Sequence, residues 1–364
     1  MELGNHKFKV RLPHEGEPIK DYPAFDFTKM SAINTCPTWG LIRYGHHKTF
    51  ASNFRAMALE AGEACHQVFA AVRMADLILH GQPYYPEFEV RRLAAQRLNT
   101  MFGRERSTEY LQLLTNPDED DRTNLIRSSL FILESSGFYD DPSDKRRTLD
   151  KLSEAIIAYV DRYEFGHSVP LIKKTGSGEL FIGVENPFEL VAEYAHDKRV
   201  RLTGKIDGVH MFKNTPDDIY VEENKTASRL GDAWEMSFEM SHQVTGYIMA
   251  ARTLFNEDIT RAKIRGLAIP QPRIHDGAGV TSPTVFRRPH QFDEWADWIV
   301  HTLELHDRWI DDPTNAPKYT HSCNRYFRPC SFIPLCAADP SERADYFADM
   351  VVDEWSPLHE KAGD

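Results

Sequence analysis

The stretch Gly204-Lys205-Ile206-Asp207-Gly208, followed by Val221-Glu222-Glu223-Asn224-Lys225-Thr226, constrains this chain most. Both pieces sit in apolar, β-branched runs, and the intervening Lys213-Asn214-Thr215-Pro216-Asp217-Asp218 is turn chemistry, so 200–226 reads as a hairpin. Side chains two apart on a strand point the same way, which puts Glu223 and Lys225 on one face and Asn224 on the other. With Asp207 beside them, the result is two carboxylates and one ammonium. Two carboxylates suit Mg²⁺ or Mn²⁺, which take oxygen ligands and keep waters for substrate phosphates. The ammonium can orient an attacking water or offset charge developing at phosphorus. Together these are the parts of a metal-dependent phosphodiesterase; the bland alternative is a charged hairpin at a solvated strand edge. Glu222 faces away from Glu223 on a regular strand and is assigned to the surface.

The chain has 364 residues, of which 41 % are hydrophobic and 27 % charged, the make-up of an ordinary globular protein. That length allows about two to three domains. No apolar run approaches the ~20 residues that span a bilayer. The N-terminus Met1-Glu2-Leu3-Gly4-Asn5-His6 has no apolar signal region, so a cytoplasmic location is expected, that of the host cell if the chain is virally encoded. The net charge of −12, from 43 basic and 55 acidic residues, argues against simple coating of nucleic acid. It leaves room for a metal cleft with basic residues placed only along a substrate path. Five cysteines, an odd count, disfavour a disulfide framework.

Along the chain, 1–27 reads as an irregular lead-in. A short helix over 31–44 is interrupted near Cys36-Pro37, and 54–79 is an amphipathic helix rich in Ala, Met and Leu. Residues 86–165 look like a helical insertion, with helical spacing at 89–102, 122–134 and 148–163 and loop-like segments at 116–121 and 137–142. The acidic 118–121 run is a loop leading a helix rather than a metal site. Strands are expected at 179–184, ending on Glu185, then at 188–194, in the hairpin, at 262–269 and at 284–288. Helices are expected at 234–255 and 292–311. The tail after Pro313 turns irregular and holds three of the cysteines.

Gly204-x-x-Asp207, Glu223-x-Lys225 and the helical Gln243-x-x-x-Tyr247, with Gly62-x-x-x-His66 upstream, resemble the PD-(D/E)XK nuclease superfamily in its RecB-like branch. The resemblance covers roughly 31–75 and 180–340. It implies an α/β fold of the restriction-endonuclease type: a mixed central sheet, flanking helices, a helical insertion and a cysteine-rich C-terminal segment. The nuclease domain would comprise 28–85 and 166–340, the insertion 86–165, and the irregular termini 1–27 and 341–364. By resemblance Asp207 and Glu223 hold Mg²⁺ or Mn²⁺, the Asn224 carbonyl adds an oxygen, and His66 completes the shell, with Glu185 near enough to join. Imidazole would bias the site toward Mn²⁺. Lys225 would orient the water. Gln243 and Tyr247 share a helix face and would contact DNA or position Lys225. The implied activity is that of a DNA exonuclease on single-stranded ends, in repair or recombination, with a helicase partner unspecified. The alternatives are a non-catalytic nucleic-acid-binding protein on the same fold and a sequence- or structure-specific endonuclease.

Cys36, Cys323, Cys330 and Cys336, with C-x6-C-x5-C in the tail, form a second constellation. Some RecB-like nucleases hold a [4Fe–4S] cluster with one N-terminal and three C-terminal cysteines; their C-x2-C-x5-C spacing has a shorter first gap. The resemblance therefore implies a cluster on thiolates, and structural zinc is the alternative. Cys65 reads as a buried thiol. Arg287 and Arg288, with Arg325 and Arg328 near Trp39, Tyr326 and Phe327, have the composition of a single-strand path.

Overall fold

The computed structural model describes residues 2–3, 8–51, 57–174, 180–195, 198–269, 279–325 and 328–354. The expected aromatic contacts at Tyr326 and Phe327, the side chains of Arg325 and Arg328, and the start of the 179–184 strand lie outside the described residues. The fold is mixed α/β, a mostly antiparallel sheet with flanking helices. The chain divides into two compact units, one of Met1–Phe54, Pro187–Lys205 and Arg288–Asp364, the other of Arg55–Asn186 and Ile206–Arg287.

In the first unit, β1 (Glu2–Leu3) pairs with β2 (Phe8–Arg11), so the supposed lead-in contributes strands. Phe8 and Val10 alternate inward, which is why this short run pairs. After β3 (Ala24–Phe25), Asp26 caps α1 (Phe27–Thr35) by accepting from the backbone N–H groups of Thr28 and Lys29. Cys36 is extended, and Pro37, without a donor to lose, starts α2 (Pro37–Gly40). A Cβ on Gly40 would lie 2.3 Å from the Ile33 nitrogen, so only glycine allows these helices to approach so closely. A π-helical turn over Leu41–Gly45 leads to β4 (Lys48–Thr49).

The second unit begins with α3 (Met57–His80), continues through α4 (Glu87–Phe102), α5 (Arg104–Leu114), α6 (Asp121–Glu134) and α7 (Leu149–Arg162), and buries one apolar core among them. The extra helix α5 follows Gly103, whose φ of 79° turns the chain sharply. Asp120 of the acidic run caps α6. Then come β5 (Ser168–Pro170), β6 (Ile172–Lys174), β7 (Leu180–Ile182) and β8 (Val184–Tyr194). Glu185 thus opens a long strand instead of ending a short one.

Strand β9 (Lys198–Phe212) turns back antiparallel into β10 (Ile219–Ala227), the expected hairpin. In place of one helix over 234–255 there are two, α8 (Asp232–Met236) and α9 (His242–Phe255). Strand β11 (Arg261–Ala268) runs parallel to β10 and antiparallel to β12 (Val280–Thr281) and β13 (Thr284–Phe286). The first unit resumes with α10 (Pro289–Trp309), whose Trp295 packs edge-on to Phe8. The tail holds β14 (Asn324–Arg325), β15 (Arg328–Pro329), α11 (Ile333–Ala337), α12 (Arg343–Ala348) and β16 (Val351–Val352); β16 pairs with β4.

Candidate active site

The β9–β10 ladder runs from Met211–Ile219 to Gly208–Glu222. Just beyond it, the Asn224 N–H donates to Asp207 Oδ2 at 2.8 Å, a side chain standing where a strand partner would be. β10 stays paired to β11 through Ala227. The hairpin therefore parts at Asp207 while β10 remains fixed along its other edge. The same hydrogen bond brings the Asn224 peptide beside the Asp207 carboxylate.

Alternation along β10 then sorts its charges. Lys225 Nζ lies 2.5 Å from Glu223 Oε1 and donates to Gln243 Oε1 at 3.2 Å; Gln243 Nε2 in turn donates to the Tyr247 hydroxyl at 3.0 Å. Helix α9 thus steadies the lysine from one side. On the other side, Asn224 Oδ1 accepts from Tyr159 of α7. Burial and the facing charge of Asp207 raise the Glu223 carboxyl above its ordinary value, against the pull of Lys225. Burial draws Lys225 down, but Glu223 and Asp207 raise it overall.

His66, Glu185 and Asp207 each offer a ligand atom, and these atoms lie within 4.8 Å of one another. His66 Nδ1 is 3.6 Å from Asp207 Oδ2. Glu185 has φ of 51°, a left-handed conformation that costs of order 1–3 kcal/mol and persists only when its surroundings enforce it. Arg97 of α4 does so by donating to the carbonyls of Val184 (3.0 Å) and Glu185 (2.6 Å). Metal–oxygen bonds of about 2.0–2.6 Å put two ligands of one ion no more than about 5 Å apart, so this trio fits a divalent ion. Glu223 stands outside the trio, and its buried Oε2 makes no hydrogen bond among the described residues. A buried carboxylate pair short of neutralising charge is what a cation at this place would relieve.

A family model for the PD-(D/E)XK nuclease superfamily matches residues 27–337. The chain belongs to this superfamily. Its members are in general hydrolytic nucleases using Mg²⁺ or Mn²⁺, which makes nucleic acid the substrate class. No curated protein matches the chain. Among the described residues no helix is long and apolar enough to cross a membrane.

Within this PD-(D/E)XK fold, two residues sit elsewhere than the sequence suggested. Glu222 is fully buried, not at the surface. It accepts from Arg73 Nε at 2.8 Å and Arg265 Nε at 2.7 Å. Despite burial, which would raise it, Arg265 and Arg73 hold its carboxyl well below the usual carboxylate range. The sequence signal was an arginine inside each of two apolar elements, α3 and β11. Arg287 is 3 % exposed and donates to Thr245 Oγ1 and to the carbonyls of Phe238 and Ser241, so it braces the α8–α9 corner and is not presented to nucleic acid. Arg288 is exposed at the start of α10, its N–H bonded to Gln291.

In the first unit, Cys36, Cys323, Cys330 and Cys336 line one cavity of about 540 Å³ with Trp39, Lys318 and Phe332. The Cys330 N–H donates to the Cys323 carbonyl at 2.8 Å. Burial pushes the Cys336 thiol up to about 11 against the pull of Lys318, and raises Cys330 too. Cys65 lies apart in α3, fully buried and pushed up to about 12.

Proposed function

We propose that this chain is a metal-dependent deoxyribonuclease that acts as an exonuclease on single-stranded ends. The observation that carries the reading is the convergence of His66, Glu185 and Asp207 beside the Lys225–Glu223 pair. Asp207, Glu185 and His66 hold the ion, with Glu223 and the Asn224 carbonyl as further oxygens. The ion supplies Lewis acidity toward a phosphate oxygen and a more acidic bound water. Lys225, fixed by Gln243 and Tyr247, directs the attacking water and offsets charge at phosphorus. Glu223 keeps that ammonium charged and in place.

We assign Cys36, Cys323, Cys330 and Cys336 to a structural [4Fe–4S] cluster. The four thiols line one pocket, yet among the described residues no three of them bring their sulfurs within 4.8 Å of one another, whereas Zn–S bonds of about 2.3 Å would set the sulfurs about 3.8 Å apart. That favours a multi-iron cluster over tetrahedral zinc.

The test is digestion, with Mn²⁺, of end-labelled linear single- and double-stranded DNA alongside a single-stranded circle. Preferential loss of the linear single strand, with the circle intact, is expected. Cutting of the circle at the linear rate would make the protein an endonuclease. No hydrolysis of any DNA by metal-loaded protein would favour a binding role.

A further inference from the structure

The buried Arg73 is not used by the chemistry above, yet its surroundings are built around it. It follows His66 by seven residues on α3, about two turns, so both lie on one face of the helix. Its side chain is wholly inaccessible. Nε is committed to Glu222, while Nη1 lies 3.5 Å from Glu185 Oε1. Neither Nη1 nor Nη2 makes a hydrogen bond among the described residues. Gly208 makes the passage possible: a Cβ there would sit 3.1 Å from Arg73 Nε and 3.1 Å from Glu222 Cβ.

Charge balance points the same way. Arg73 and Arg265 bring two positive charges to Glu222, which carries one negative charge. His210, buried against the same carboxylate and lowered to about 3 by that burial, adds none. Unbalanced buried charge is strongly unfavourable, so a further carboxylate is needed; Asp207 and Glu185 both act on Arg73, and of the two Glu185 is the one in ion-pair contact, at 3.5 Å.

We propose that Arg73 is a positioning residue for the metal cleft, linking Glu222 in the interior to Glu185 and aiming the Glu185 carboxylate at the ion held by His66 and Asp207. Arg97 fixes the Glu185 backbone and Arg73 fixes its side chain. This rests on the metal reading of the trio.

The experiment is Mn²⁺ binding by calorimetry, without nucleic acid, on the full chain. Wild type and Asp207→Asn come first: equal affinity in the two overturns the metal reading, and this proposal with it. Given a loss in Asp207→Asn, Arg73→Lys keeps the charge but not the guanidinium fork. It is expected to weaken Mn²⁺ binding by about 10–100-fold, the range for partners that orient a ligand. Arg265→Lys disturbs Glu222 from its other side without touching Glu185, and is expected to lower the melting temperature but leave Mn²⁺ affinity alone. In an Glu185→Gln background, Arg73→Lys is expected to change nothing further. Should Arg73→Lys fail to fold, Gly208→Ala crowds Arg73 Nε, together with Glu222 Cβ and His210 Nε2, each 3.1 Å from the added Cβ, and is expected to weaken Mn²⁺ binding in the same direction by a smaller factor. Wild-type affinity in the folded Arg73 or Gly208 variant overturns the proposal. So does an equal loss in Arg265→Lys, or an additive loss in the double variant.

Discussion

Lys225 touches Glu223 at 2.5 Å and Gln243 at 3.2 Å, so its ammonium is aimed before any substrate arrives. Removing one preorganised electrostatic group typically lowers the chemical step by about 10²–10³-fold. Lys225→Ala and Glu223→Gln are each expected to lose cleavage on that scale in single-turnover assays, with unchanged circular dichroism. Wild-type rates in either, free of contaminating nuclease, would take the residue out of the reaction. Metal-stripped protein should be inactive in EDTA, recover more with Mn²⁺ than Mg²⁺ because an imidazole sits in the trio, and stay inactive with Ca²⁺. Activity that persists after stripping would exclude the ion from the mechanism. At this scale the juxtaposition of Glu223 and Lys225 on one face is legible because strand alternation is local, and the approach of Asp207 follows from the hairpin. Alternation also sets the face of Glu222, but not that α3 and α7 cover that face, so this carboxylate is buried. A strand covered on both sides loses its inside–outside pattern.

Among the elements, long periodic segments such as α3, α6 and α10 were legible, and the joints were not. The apolar spacing over 234–255 continues through a corner where the Ser241 hydroxyl caps α9 and Arg287 gathers the carbonyls of Phe238 and Ser241. A cap of that kind comes partly from 46 residues downstream, beyond any local window. Gly103 likewise separates α4 from α5 through a positive φ that the surrounding helical periodicity hides. This corner carries Gln243 toward Lys225, so its brace can be tested apart from the chemistry. Arg287→Ala removes a buried guanidinium's hydrogen bonds to the carbonyls of Phe238 and Ser241 and to Thr245 Oγ1, and should destabilise the protein by about 1–3 kcal/mol, read as a lower melting temperature. The salt dependence of DNA binding should not change. A salt slope shallower by about one would return Arg287 to the phosphate contacts.

At the scale of the molecule, each compact unit is assembled from pieces distant in sequence. Periodicity tells a segment its own face but not its partner, which is why Phe8–Arg11 looked irregular until β8 paired with it. The cysteines show the same long reach: Cys36, at the break between α1 and α2, shares a cavity with three thiols from the far end of the chain. A group bound there closes a loop of nearly the whole chain, and such closure removes freedom chiefly from the unfolded state. Protein purified without oxygen is therefore expected to be brown and to carry about four irons per chain. Cys36→Ser should lose the iron and melt at a lower temperature, while Lys225 chemistry, located in the other unit, still responds to Mn²⁺ in whatever fraction stays folded. Cys65→Ser should keep the iron, because Cys65 is buried in α3 and does not line the cavity. Colourless protein with one zinc would replace the cluster by a tetrahedral site. Iron retained by Cys323→Ser would remove that residue, whose spacing to Cys330 is the longer one, from the ligand set.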